Sequence, residues 1–187
     1  STLRQVLAIM QAIGRGEGQV KNLVKESDFT RGRSDVPMSF ELQLQFGRNS
    51  YHYSIAFDLP AGFRAMRVVR ESLVVDGVEL FSRDLAEVRL ARTSAPGSGA
   101  VFSLDWHVVA MTVIQDSGAN KLLQPLREWM GKMVLISPLP PLMTSETTAE
   151  PVPLQAHANN LVDWLASLLE SHPSAYSTVV EQLQTVM

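Results

Sequence analysis

Apolar and polar residues alternate strictly in the middle of the chain. In Met38–Phe46 every second residue is apolar, and the same alternation returns in Tyr51–Leu59 after the short polar stretch Gly47–Ser50. Period-2 alternation of this kind is typical of strands that bury one face and expose the other. The two runs and the short stretch between them therefore predict an antiparallel hairpin.

Further strands are predicted after this hairpin. An extended run covers residues 64–75, the tight-turn dipeptide Asp76-Gly77 follows it, and Val78–Ser82 supplies the returning strand. Ala86–Leu90 adds one more short strand. We therefore expect a meander of four or five antiparallel strands, followed by a loop over the Gly- and Ser-rich Thr93–Ala100.

Helical spacing of apolar residues marks both ends of the chain. Near the N-terminus, apolar residues recur at intervals of three and four and predict one amphipathic helix; they are Leu3, Val6, Leu7, Met10 and Ile13. In the C-terminal half, helices are predicted at Ala119–Met130, Asn159–Glu170 and Ser174–Met187, with a break at His172-Pro173. Leu104–Met111 fits neither period. The predicted fold class is thus α+β.

Two segments separate the predicted C-terminal helices. Met133–Ile136 is a short apolar run that we interpret as a strand, and Ser137–Pro153 contains five prolines and is interpreted as a linker. The pattern favours two parts, a β-rich part over residues 1–92 and a mainly helical part over residues 101–187.

Composition and charge exclude several classes of protein. The chain has 187 residues, 45% of them hydrophobic, and no Cys, so it has no disulfide framework and no thiolate metal site. The lack of Cys fits a reducing cytoplasm, and because no apolar run approaches the roughly 20 residues that span a bilayer, we expect no membrane partner. Residues 133–187 contain five acidic residues and no Lys or Arg. This negatively charged part is therefore unsuited to binding the phosphate backbone of a nucleic acid.

Familiar catalytic and metal-binding patterns are missing. The four histidines stand far apart, the carboxylates are scattered, and Gly-x-Ser-x-Gly does not occur. The basic residues nearest the N-terminus are a solvated face or, alternatively, a contact surface for nucleic acid; they are Arg4, Arg15, Lys21, Lys25, Arg31 and Arg33.

The N-terminal helix is the remaining candidate for chemistry. It starts on Ser1-Thr2, which are ordinary capping residues. A Ser or Thr also starts the helix that follows the Gly-rich loop in GxxxxGK[ST], where its hydroxyl binds Mg²⁺ and the helix N-terminus meets the phosphates. The residues alone leave both interpretations open.

Four stretches along the whole chain resemble the RecF/SMC-like (ABC-type) AAA-family ATPases. "STLRQVLAIMQAI" is similar to the helix after Gly-Lys, and the hairpin "MSFELQLQFGRNSYHYSIAFD" to the family's hairpin ending in Tyr-x-Tyr-x-Ile-x-Phe. Glu71-Ser72-Leu73 matches a recurrent Glu-x-Leu. Ala158-Asn159-Asn160-Leu161 resembles the family's Gly-x-Asn-Leu, with Ala in place of the usual Gly.

The resemblance implies a function for the complete protein. It implies a P-loop NTPase head that binds and hydrolyses ATP with the help of Mg²⁺. Residues 1–92 would then form the Walker A helix and an antiparallel lobe, and residues 101–187 a helical insertion. Ser1 is implied as a Mg²⁺ and phosphate ligand, and Thr2 as a phosphate neighbour. Arg31 and Arg33 fall in a loop that lies near nucleotide or DNA in related heads.

The same resemblance sets expectations about partners and about this chain alone. By analogy with this family, two ATPase heads are expected to form a homodimer around ATP. The dimer is expected to act on DNA, or through an effector, in DNA repair or phage defence. The Gly-rich loop, its Lys, the signature and the Walker B acids are expected outside residues 1–187, so these residues alone should hydrolyse nothing. The alternatives are a non-enzymatic interaction domain and a nucleic-acid-binding module.

Overall fold

The computed structural model describes residues 2–91, 99–115, 121–143 and 153–186. Its fold is α+β, as the hydrophobic pattern predicted. The chain divides into two compact units, Ser1–Met133 and Val134–Met187, which we call the first and the second unit. Parts of the predicted loop 93–100 and of the proline-rich segment 137–153 lie outside the described residues.

The first unit contains one antiparallel sheet in which the strands follow each other in sequence order. The strands are β1 (Met38–Phe46), β2 (Asn49–Asp58), β3 (Arg67–Val75), β4 (Val78–Asp84), β5 (Glu87–Leu90) and β6 (Ala100–Ser103). The predicted hairpin is confirmed as β1–β2, with Leu42 opposite Tyr53. Asp76 and Gly77 form the turn before β4 with positive φ angles of 52° and 79°, as a type I′ turn requires.

The described part of the first unit also contains α-helices and short 3₁₀ helices. They are α1 (Thr2–Gly14), α2 (Val20–Leu23) and α3 (Leu123–Lys132), and the 3₁₀ helices Glu26–Asp28, Thr30–Gly32 and Ala110–Thr112. The predicted N-terminal helix is confirmed, and it packs against α3. The two helices approach closely at Gly14 and Gly131, where neither residue has a side chain to keep the backbones apart.

One face of the sheet and the helices enclose the core. The inward residues of the central strands are completely or almost completely buried because their period-2 spacing places them all on that face. They include Tyr53, Ile55, Phe57, Leu73, Phe81 and Val88, which pack with Met10 and Ile13 of α1 and with Leu123, Leu126 and Met130 of α3.

The second unit contains the two predicted C-terminal helices, α4 (Leu161–Ser171) and α5 (Pro173–Val186), and a 3₁₀ helix at Pro140–Leu142. The break between the helices falls at His172, because Pro173 has no N–H to continue α4 and is well suited to start the next helix. Across the described ranges of both units, no helix is long and apolar enough to cross a membrane.

The helix predicted at Ala119–Met130 is found as α3, Leu123–Lys132, and two strands differ from the sequence prediction. The sheet has a sixth strand, β6, where we expected only the end of a loop. The strand predicted at Met133–Ile136 is wrong: these residues belong to no sheet, and Ser137 immediately after them donates its backbone N–H to the carbonyl of Ala156 at 2.7 Å. A four-residue apolar run fixes no period, so it cannot distinguish a strand from an extended connection.

Candidate functional site

The start of α1 points away from the core of the first unit. Ile9 and Met10 in the middle of the helix are buried, whereas Leu3 in the first turn is 68% exposed. That turn contains no acidic residue, so nothing in it offsets the partial positive charge of a helix N-terminus. Thr2 opens the helix, and Ser1, the predicted Mg²⁺ ligand, lies outside the described residues.

Arg31 and Arg33 lie on the same side of the first unit as α1. Together with Val6, one turn into α1, and with Phe29 and Phe40, they line a cavity of about 470 Å³. Arg33 forms an exposed ion pair with Asp35 at 2.9 Å. This hydrogen-bonded guanidinium lowers the pKa of the Asp35 carboxyl. The two predicted arginines therefore reach a cavity next to α1, and one of them already has a carboxylate partner.

A second cavity, of about 570 Å³, opens beside α2 and is rich in charge. Its lining includes the basic side chains of Lys21, Lys25 and Arg64 and the acidic side chains of Glu26 and Asp105. The volume lies in the range of small-molecule sites.

Asp105 belongs to a local pair in the wall of this second cavity. Its Oδ1 accepts hydrogen bonds from the backbone N–H of His107 at 2.7 Å and from the ring Nδ1 at 3.0 Å. The backbone bond, and then the ring bond, lower the pKa of Asp105. The carboxylate is thus negative at neutral pH, and the formal charge of the cavity lining is close to balanced.

A buried polar cluster holds the segment that forms this wall. Glu71 on β3 is completely buried, and its carboxylate accepts hydrogen bonds from the Tyr53 hydroxyl at 3.0 Å and from the backbone N–H groups of Ala110 and Met111 at 2.7 and 2.8 Å. Glu71 therefore caps the start of the 3₁₀ helix that begins at Ala110. Burial raises the pKa of this carboxyl, while the three donors and Arg83 oppose the shift.

Arg83 and Arg127 bind the carbonyl oxygens of the same segment. Arg83 on β4 is opposite Glu71 in the sheet register, and its guanidinium donates to the carbonyls of Leu85 at 2.6 Å, of Asp105 at 2.8 Å and of Val108. Arg127 on α3 donates to the carbonyl of Met111 at 2.8 Å and also to that of Ile114. A guanidinium group can bind several carbonyl oxygens at once because it has several N–H donors in one plane.

Sequence reasoning missed this cluster as a unit, although one signal was available. Glu71 has the same strand phase as the buried Leu73, and Arg83 has the same phase as the buried Phe81. A charged residue at an inward position of a strand needs a buried partner. Glu71 and Arg83 are completely buried, and together with the half-buried Arg127 they bind backbone groups, so the role of the cluster is to hold residues 105–114.

The second unit contains a tight loop at the motif Ala158–Leu161. The Asn160 side chain accepts a hydrogen bond from the backbone N–H of Gln155 at 2.9 Å and donates to the carbonyl of Pro153 at 3.0 Å. Ala158 is buried and has a φ of 56°, in the left-handed region that favours Gly. Leu161 then starts α4.

Comparison with protein families, with curated proteins and with solved structures finds no match to this chain. Among the described residues, no three His, Cys, Asp or Glu side chains are grouped so that they could hold a metal ion.

Proposed function

We propose that residues 1–187 form part of the head of an ABC/SMC-like, RecF-like ATPase, and that the complete head binds and hydrolyses Mg-ATP. In this proposal the Ser1 hydroxyl is a Mg²⁺ and phosphate ligand and Thr2 is a phosphate neighbour. Two heads form a homodimer around ATP, and the complete protein acts on DNA or through an effector. We place the protein in the cytoplasm.

The backbone of Ala158 is the observation that carries the proposal. The related ATPases usually have Gly at this position of Gly-x-Asn-Leu, and the chain here adopts a positive φ that costs about 1–2 kcal/mol for a residue with a Cβ. The Asn of the motif closes the loop through two hydrogen bonds, and the Leu opens the helix. Ala158, Asn160 and Leu161 thus each have a defined structural role in this loop, which supports the resemblance.

Two further features support the proposal. Glu71, the first residue of the Glu-x-Leu match, is the centre of the buried polar cluster rather than a solvated strand residue. The helix that starts at Thr2 is followed by an antiparallel meander, in the order that the resemblance implies.

The residues present suit an anion better than they suit a complete metal site. The exposed, acid-free first turn of α1 is compatible with a phosphate group. No three His, Cys, Asp or Glu side chains of the described ranges are grouped so that they could hold a metal ion, so in this proposal the acids that assist Mg²⁺ come from other parts of the head. Bound Mg²⁺ would neutralise the charge of the phosphates. α1 would contribute its N-terminal N–H groups and hold the Ser1 hydroxyl in place.

The decisive experiment uses the complete polypeptide that contains this chain. The proposal requires the encoded sequence Gly-x-x-x-x-Gly-Lys directly before Ser1, and it fails if other residues stand there. ATP hydrolysis should fall by about 10²-fold or more in Ser1→Ala, a loss of the size seen when one group that stabilises the transition state is removed. Ser103→Ala is the control, since Ser103 is exposed on β6; its activity should equal that of the unmodified protein.

A second experiment uses residues 1–187 alone. The backbone nest that cradles phosphates would precede Ser1, so we expect no saturable ATP binding in isothermal titration calorimetry. Binding that disappears in Lys21→Gln or Arg64→Gln would put the nucleotide in the cavity beside α2 and would overturn the proposed role of α1.

A further inference from the structure

The two edges of the sheet in the first unit differ in length. β6, at one edge, has four residues, whereas β1, at the other, has nine. Among the described residues, β1 pairs with β2 on one side and with no strand on the other. A nine-residue strand spans about 30 Å, and every second residue directs its N–H and C=O towards the free edge. β1 thus offers a long row of unpaired backbone groups.

β1 lacks the devices that normally protect an exposed edge. Its sequence, MSFELQLQF, has no Lys, Arg or Pro, and Glu41 is its one charged residue. The β1–β2 register runs without a bulge, whereas the β2–β3 and β3–β4 registers both shift once. Natural sheets protect their edges with charges, prolines, bulges or short strands because a flat apolar edge pairs with other strands. Here the short strand protects only the β6 edge.

The inward side chains of β1 are also incompletely covered. Phe40, Leu42 and Leu44 are half-buried, and Phe46 is 43% exposed. The residues opposite Phe40, Leu42 and Leu44 on β2 are buried almost completely. Since both strands contribute to the same face, the difference arises at the free edge, where β1 has no strand beyond it.

We propose that β1 pairs antiparallel with β1 of a second copy of this chain, about a twofold axis that passes beside Leu42. In this register Met38 faces Phe46 of the other copy and Phe40 faces Leu44. All nine residues are paired, and apolar residues face apolar residues on the inner side. Such self-complementarity is what an isologous twofold interface requires.

Charge and length together favour this register: an axis beside Gln43 would pair only residues 40–46 and leave Met38 and Ser39 without a partner. With the axis beside Leu42, Glu41 faces Gln43 of the other copy. With the axis beside Glu41, the two Glu41 carboxylates would face each other directly, and like charges at opposite positions destabilise a pair of strands. A shift by a single residue would place apolar side chains opposite polar ones.

This dimer does not depend on the proposed ATPase function, because it involves neither Ser1 nor nucleotide. Its test is the sedimentation behaviour of residues 1–187 without ATP. We expect a dimer that dissociates on dilution. A chain that remains monomeric up to about 1 mM, the limit of weak association, overturns the proposal.

Three charge variants on the exposed face test the register without touching the core. Gln43→Glu places two new carboxylates opposite the two Glu41 side chains, and Gln43→Lys places two ammonium groups there. We expect the dimer dissociation constant to rise in the first variant and to fall in the second, by roughly two- to thirtyfold each. Gln45→Glu is the matched control because Gln45 faces Ser39 of the other copy. Equal effects at positions 43 and 45 would contradict the register.

Single cysteines test the same register covalently, and the absence of native Cys makes them unambiguous. Leu42→Cys should form a disulfide-linked dimer under mild oxidation, because residues opposite each other on antiparallel strands lie within disulfide range. Ser39→Cys and Gln45→Cys should each remain monomeric in the oxidised gel, and a mixture of the two should give the crosslinked heterodimer. A dimer in solution whose mixture does not crosslink would have another interface.

Discussion

Glu71 Oε2 and Arg83 Nη1 lie 3.9 Å apart inside the first unit, although both side chains are completely buried. Each of the two charged groups also has hydrogen-bond partners in the backbone. The carboxylate binds backbone N–H groups at Ala110 and Met111, and the guanidinium binds backbone carbonyls at Asp105 and Val108. The pair therefore links two neighbouring strands to one irregular segment, and it satisfies backbone groups that have no partner in a helix or sheet.

Removing the charge of Glu71 should destabilise the first unit strongly. In Glu71→Gln the buried Arg83 loses its counter-charge, and the side-chain amide cannot accept both N–H bonds, so we expect a loss of about 3 kcal/mol in the free energy of unfolding. Urea denaturation measures this. Glu87→Gln is the control, since Glu87 is exposed and its ion-pair partner Arg89 is exposed as well; its loss should stay below about 0.5 kcal/mol. Similar losses in both variants would contradict the role of the pair.

The effects of Glu71 and Arg83 should not be additive. Arg83→Met alone leaves an unpaired buried carboxylate, whereas Glu71→Gln combined with Arg83→Met leaves no buried charge in the pair. We expect the double variant to lose less free energy of unfolding than the two single variants together, with a coupling of about 1–3 kcal/mol. The four proteins of the cycle are compared in urea at one pH. Additive losses would mean that the two groups act independently.

Tyr53 should make the first unit sensitive to alkali. Burial, followed by the nearby charge of Glu71, raises its pKa well above the ordinary value. At neutral pH both states keep the phenolic proton. Above about pH 10 the unfolded chain releases it while the folded chain retains it, so the free energy of unfolding falls as pH rises, by up to about 1.4 kcal/mol per pH unit.

Tyr53→Phe tests this pH dependence. The variant should be less stable at neutral pH by about 1 kcal/mol, because Glu71 loses a hydrogen bond, and its stability should fall less steeply above about pH 10. Urea denaturation at several pH values gives both quantities. Tyr176→Phe makes the same change in the second unit and should leave the slope of the first unit unchanged. An unaltered slope in Tyr53→Phe would argue against retention of the proton.

The regular elements could be predicted from the sequence because each has a clear period. The β1–β2 hairpin, the turn at Asp76-Gly77 and the helix break at Pro173 all follow from local patterns. β6 was missed since its four residues follow directly on a Gly- and Ser-rich stretch. A strand so short exists only because β5 is there to pair with it, and a pairing partner is not a local property of the sequence.

The candidate site was less predictable for the same reason. The buried cluster joins Glu71 to Ala110 and Arg127 to Met111, over long stretches of sequence that a local pattern does not connect. The cavity beside α2 is likewise formed by residues near positions 21, 64 and 105. The start of α1 could be predicted from neighbouring residues, since a helix start is specified by the residues around it.

A β-branched side chain at position 158 should lower the free energy of unfolding. With a φ of 56°, Ala158→Val should cost about 2 kcal/mol or more, because a β-branched residue rarely adopts this conformation. Ala158→Gly should change the stability by less than about 0.5 kcal/mol, since relief of strain is offset by the lost methyl burial and the added freedom of the unfolded chain. Thermal unfolding measures both. Ala156→Val, at a nearby exposed position, is the control, and a loss equal to that of Ala158→Val would contradict the explanation.

Because α1 and α3 are in contact at Gly14 and Gly131, we expect Ala to be tolerated at Gly131 but not at Gly14. A Cβ added at Gly14 would lie 2.6 Å from Met130 Cβ and 2.8 Å from the carbonyl oxygen of Arg127, whereas a Cβ added at Gly131 would meet nothing closer than 3.1 Å. Gly-to-Ala changes within helices normally stabilise by up to about 1 kcal/mol. In Gly14→Ala that gain is outweighed, because α1 and α3 have to move apart, and we expect a net loss of about 2 kcal/mol.

Gly131→Ala is the matched comparison, since it makes the same chemical change on the opposite side of the same contact. Here the helix-propensity gain and the mild crowding should nearly cancel, leaving the free energy of unfolding within about 1 kcal/mol of the unmodified chain. Urea denaturation of the two variants under one condition gives the comparison directly. Equal losses in the two variants would mean that the contact is equally crowded at Gly14 and at Gly131. A gain of stability in Gly14→Ala would show that the close approach of the two backbones is not needed for the packing of α1 on α3.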